Sequence, residues 1–161
     1  MTKPLFLAAK WRLRISLGIY LLYAGSGIAA DFDGDGVADE FATTRDVARA
    51  ANNSAIRVVN PWEKAGALKR PIKGVGLIIR LSRAQQRFVL HDADFFSTPI
   101  WLQGKPPALV ITKQDRRYSA WKKQVPALRA DVIQLGTEAG IDILLYWDSK
   151  RWRLFWPDEE P

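Results

Sequence analysis

The chain of 161 residues contains no cysteine and a single histidine. The first absence excludes disulfides, thiolate metal ligands, a cysteine nucleophile and a lipoprotein acylation site together. With only His91 beside it, a zinc site also lacks its usual ligands. No GxSxG, HExxH or glycine-rich phosphate loop occurs. There is no self-similarity at the period of a solenoid or propeller, and no low-complexity segment. Long hydrophobic runs are missing as well. The uncharged stretch 15–30, ISLGIYLLYAGSGIAA, has 16 residues, short of the ~20 that span a bilayer as a helix. Gly18, Gly25 and Gly27 weaken it further as a membrane helix.

What is present is a chain able to bury a core: 48% hydrophobic and 25% charged residues, with a formal net charge of +7. At face value that charge asks for an anionic partner such as nucleic acid. Its distribution narrows the reading. Lys3, Lys10, Arg12 and Arg14 precede the uncharged stretch with no acid among them, and the stretch ends in small residues. A basic start, a short apolar run and a small-residue exit make a secretory signal peptide over residues 1–30. Cleavage is expected after Ala29 or Ala30, with Ser26 as a further small-residue exit and an uncleaved anchor as the alternative. Arg12 and Arg14 are not adjacent, so the general secretory route is expected. Residues 31–161 then form a single periplasmic or secreted domain of 131 residues with net charge +3. Export disfavours nucleic acid as a ligand. The charge falls into acidic, basic and acidic parts: 31–44 holds five acids and no base, 45–129 holds 17 bases against five acids, and 130–161 holds three bases against seven acids.

Short apolar or alternating runs separated by turn residues dominate the rest. A helix of about two turns is expected after a Thr43 or Thr44 cap, stopping at Asn52–Asn53. Strands are expected at 54–60, 75–81, 86–91, 109–112 and 131–135. Residues 61–74 read as a polar loop with two prolines. Residues 116–129, interrupted by Pro126, read as a helical turn or a loop. Segments 141–147 and 152–156 make the clearest hairpin, joined through Asp148–Arg151. The pattern predicts a mainly β, largely antiparallel domain with one or two short helices.

Residues 31–40, DFDGDGVADE, carry the one motif with chemistry in its spacing. Calcium takes six to eight hard oxygen ligands from a loop able to curl around it. Asp31, Asp33 and Asp35 on alternate residues converge, Gly36 permits the reversal, the Val37 carbonyl follows, and Asp39 closes the shell. The alternative is an acidic, solvated tail. The segment resembles the DxDxDGxxD loop of integrin-alpha-type FG-GAP and VCBS-like repeats, where such a loop joins two strands. That resemblance implies a calcium ion held by Asp31, Asp33, Asp35, Val37 and Asp39. An EF-hand does not fit, because position 12 of the loop is Ala42 and not glutamate.

Two weaker constellations remain. His91 lies beside Asp92 and Asp94, as a general base or as a strand-end histidine bonded to a loop. Trp147, Trp152 and Trp156 cluster at the C-terminus, where alternate strand faces offer either a buried stripe or an exposed aromatic strip for sugars or a partner. The expected function is an exported, non-catalytic binding domain with a structural calcium loop. Its expected partner is an envelope protein or an anionic cell-wall polymer. The alternatives are a periplasmic inhibitor or immunity protein against a cell-wall-active enzyme, and, behind it, a hydrolase using His91 with Asp92 or Asp94.

Overall fold

Apolar residues cluster in runs such as GLIIRL and DILLYW, too continuous for a sheet with one wet face and too short for buried helices. A computed structural model of the chain, describing residues 28–62 and 73–157, accounts for them by two packed sheets whose outer faces are also covered. Nine strands are described: β1 (Ile28–Ala30), β2 (Asp39–Thr44), β3 (Ile56–Val59), β4 (Gly76–Leu81), β5 (Gln86–Leu90), β6 (Ala108–Ile111), β7 (Val132–Gly136), β8 (Asp142–Trp147) and β9 (Trp152–Phe155). Four short helices accompany them: α1 (Val47–Ala51), α2 (Ala93–Phe96), α3 (Pro99–Leu102) and α4 (Tyr118–Gln124).

The first sheet has the order β1-β2-β4-β5-β3, and the second is the meander β6-β7-β8-β9. All described pairings are antiparallel except β3 with β5. The sheets meet through Phe41, Leu77, Ile79, Phe88 and Leu90 on one side and Ile133, Leu135, Ile143, Leu145 and Trp152 on the other. On the far face of the first sheet, Val47 and Ala50 of α1 cover Val89. On the far face of the second, Trp121 of α4, with Val125 and Leu128 beyond it, covers Ile111, Val132 and Leu144. Burial on both faces is why Ile143, Leu144 and Leu145 are apolar in succession.

The mainly β, antiparallel class expected from the sequence is what the structure shows. Four short helices are described where one or two were expected, and the start of the first one changes. Residues 39–44 belong to β2, because Thr43 and Thr44 pair with Leu77 and Gly76 across the ladder. The helix therefore starts two residues later, with Asp46 as its cap, its carboxylate accepting from the Arg49 amide at 2.9 Å. Residues 93–102 form α2 and α3, capped by Asp92 and opened by Pro99. Residues 116–129 contain α4, which ends before Pro126 because proline disfavours helical geometry in the residue preceding it. Residues 1–27 of the expected signal peptide 1–30 and residues 63–72 of the proline-containing loop lie outside the described residues. Ile28, Ala29 and Ala30 pair with Phe41, Glu40 and Asp39, so a cut after Ala29 or Ala30 removes most or all of β1. Among the described residues, no helix is long and apolar enough to cross a membrane.

Candidate metal centre

The acidic segment is the loop between β1 and β2, and its own side chains shape it. Asp33 Oδ1 accepts from the Asp35 amide at 3.1 Å, and Asp35 Oδ1 from the Val37 amide at 2.8 Å. These are successive Asx turns, local bonds that short acidic side chains make readily. Gly36 has φ +83 with open space around it, so its backbone conformation and not crowding calls for glycine there. Asp31 Oδ2 closes the turn by accepting from the Gly36 amide at 3.2 Å.

Distant residues then fasten the loop to both sheets. Asp39 is only 1% exposed; its Oδ2 accepts from the Phe32 amide at 2.9 Å and its Oδ1 from the Ser82 amide at 2.8 Å. Ser82, in the β4–β5 turn, also donates its hydroxyl to the Ala38 carbonyl at 2.7 Å. On the other side Asp131 accepts from the Asp31 amide at 2.9 Å and the Lys113 amide at 2.7 Å. The Asp131 amide donates back to the Asp31 carbonyl at 2.9 Å. Lys113 places its ammonium 3.3 Å from Asp31 Oδ2, and Arg83 its guanidinium 3.4 Å from Asp35 Oδ2.

Within this frame, carboxylate oxygens of Asp31, Asp33 and Asp39 lie within 4.8 Å of one another. Asp31 Oδ1 is buried and has no hydrogen-bond partner among the described residues. Burial pushes the Asp33 carboxyl above the usual range, with the nearby carboxylates of Asp35 and Asp31 adding to the effect against an opposing amide bond from Asp35. Burial does the same for Asp39, with Asp33 and Asp35 adding to it against the amides of Ser82 and Phe32. Both groups thus favour a neutralising cation or proton. Of the five expected ligands, the structure gathers Asp31, Asp33 and Asp39. Asp35 is turned to Arg83 and the Val37 amide, and Val37 is half-buried in the same turn. Three converging carboxylates and an orphaned oxygen suit a hard divalent ion.

The other candidates lie elsewhere. Trp152 is 3% exposed inside the core, against Phe32, Phe88 and Trp147, so it offers no surface to a ligand. Trp147 and Trp156 are half-buried and pack against the same core. On the opposite face of that hairpin, Tyr146 and Phe155 lie under α4. His91 is buried, with Nδ1 2.8 Å from the Val75 carbonyl. Asp92 instead accepts from the amides of Asp94 and Phe95 and from Asn60 Nδ2, all within 3.0 Å. Asp94 is exposed at the start of α2. Sequence reasoning missed Ser82, Arg83, Lys113 and Asp131. Asp131 stands 100 positions from Asp31 in the chain, and no local pattern announces it.

Comparison with family models, with curated proteins and with solved structures yields no match for this chain.

Proposed function

We propose that this chain is an exported, non-catalytic binding domain whose first loop holds a structural calcium ion. The observation that carries the reading is that Asp31, whose Oδ1 is buried without a partner among the described residues, brings a carboxylate oxygen within 4.8 Å of ones from Asp33 and Asp39. Asp31, Asp33 and Asp39 would hold the ion, with Asp35 and the Val37 carbonyl as the further oxygens that the loop spacing supplies. A bound dication supplies positive charge that offsets carboxylate repulsion and makes up for the missing hydrogen bond. The role is structural, since the loop is bonded to the β4–β5 turn through Ser82 and to the second sheet through Asp131. Export is supported by the basic-then-apolar order of residues 1–30. A non-catalytic role is supported by His91 Nδ1 facing a carbonyl and by Asp92 being engaged in capping α2.

For the partner, an anionic cell-wall polymer is supported by exposed cations. Arg87, Lys105, Lys123 and Arg129 are exposed without an acidic partner among the described residues. Co-sedimentation with purified wall polymer at low and high salt tests this, salt-sensitive binding being expected.

Thermal melting in calcium and in chelator tests the metal. Binding to the folded state alone stabilises it by about 2.7 kcal/mol at a hundredfold excess over Kd, so the midpoint should rise with calcium. Asp33→Ala should abolish that rise. An unchanged midpoint at millimolar calcium rejects the proposal.

A further inference from the structure

β1 falls within the segment 1–30 that reads as a signal peptide, yet its residues are built into the domain. Ile28, Ala29 and Ala30 pair antiparallel with Phe41, Glu40 and Asp39. Ala30 is 5% exposed and belongs to the same core as Phe32 and Phe41. Asp31, next in the chain, is fixed through its backbone: its amide donates to the Asp131 carboxylate and its carbonyl accepts from the Asp131 amide, both at 2.9 Å. Without β1, β2 becomes the edge of the first sheet and presents unpaired backbone groups beside the buried Asp39.

The sequence offers three exits for a signal peptidase, after Ser26, Ala29 or Ala30. The enzyme reads small side chains at the first and third positions before the cut. Ser26 and Ala24 meet that need for the first exit, and Ala29 and Gly27 for the second. The third places the large Ile28 at the third position. Residues 15–23, ISLGIYLLY, supply nine residues of apolar core ahead of Ala24, inside the roughly 7–15 that such a signal uses. The exits differ in what they leave: the third removes β1, the second leaves only Ala30 of it, and the first keeps it whole.

We propose that the chain is processed at the Ser26–Gly27 peptide bond, so that the exported domain begins at Gly27 and keeps β1 as its first strand. This rests on the export reading. The signal peptidase hydrolyses the bond with one water, leaving a carboxylate on Ser26 and an ammonium on Gly27. β1 then separates that ammonium from the acidic loop. A cut after Ala30 would instead turn the Asp31 amide into an ammonium beside the loop carboxylates.

The full chain is expressed in a Gram-negative host, and the periplasmic product is read by N-terminal sequencing and intact mass. A product beginning at Gly27 is expected. A start at Ala30 or Asp31 overturns the proposal and leaves export standing. An uncut chain beginning at Met1 overturns the export reading and the proposal with it. Ala30→Leu in the full chain should keep the start at Gly27 and lower the melting midpoint of the released domain by about 5 °C, because added bulk crowds a buried position. Ala30→Gly, a milder change, should lower it less, and Ala29→Leu, at an exposed position, should leave it unmoved. If both Ala30 variants melt like the native domain, β1 is not part of the core and the proposal fails.

Discussion

Ser149 shows how one residue's backbone carries a cost that its neighbours offset. It sits in the β8–β9 turn at φ +74, a left-handed conformation that favours glycine. Asp148 holds the turn by accepting from the amides of Lys150 and Arg151 at 3.0 and 2.9 Å. Ser149→Gly should therefore stabilise the protein by about 0.5–1 kcal/mol, read from urea unfolding, because it relieves strain without removing a bond. Gln85, at φ +52 in the β4–β5 turn, is a different case: its side chain donates to the Ser82 carbonyl and accepts from Arg80. A glycine there would lose those bonds. The turn Asp148–Arg151 was legible in the sequence because its chemistry is local. The positive φ was not, since serine carries no preference for it.

Close packing between elements governs the α1–β4 contact. A Cβ on Gly76 would stand 2.6 Å from Val47 Cγ2 and 2.9 Å from the Leu90 carbonyl. Gly76→Ala should thus push α1 from the sheet and destabilise by about 1–3 kcal/mol, read from urea unfolding. The β8–β9 hairpin adds a pH dependence. Burial alone would raise the Asp148 carboxyl, but the Arg153 side chain and the amides of Arg151 and Lys150 outweigh it and hold it below its ordinary value. A carboxyl depressed in the folded state contributes stability above its unfolded value of 3.8, and that contribution is lost as pH falls through the folded one. Acid unfolding of Asp148→Asn should therefore be less steep below pH ~4 than that of the native chain. The hairpins β4–β5 and β8–β9 were legible because their strands are neighbours in the chain. Residues 39–44 read as the approach to a helix, since β2 is a strand only through pairing with β1 and β4.

Over the whole molecule, Asp131 couples the loop to the second sheet. It is buried and accepts amides from Asp31 and Lys113. Asp131→Ala leaves both donors unpaired and should cost about 2–4 kcal/mol in urea unfolding. If the loop is a calcium site, the same variant should also weaken the calcium-dependent rise in melting midpoint. Asp31 would then keep its ligand oxygens but lose the bond that positions its backbone.

The sequence by itself determined what depends on near neighbours: the β class, the two hairpins, and a tight acidic loop turning at Gly36. Asx turns, glycine geometry and strand patterning act over a few residues, so a single linear reading finds them. Only the tertiary structure decided which aromatic faces are covered, where Asp35 turns, and that β3 runs parallel beside β5. It also decided that Asp131 and Lys113 clasp Asp31, and that His91 meets the Val75 carbonyl. These depend on contacts between distant segments, and burial between two sheets sets them independently of the residues on either side in the chain.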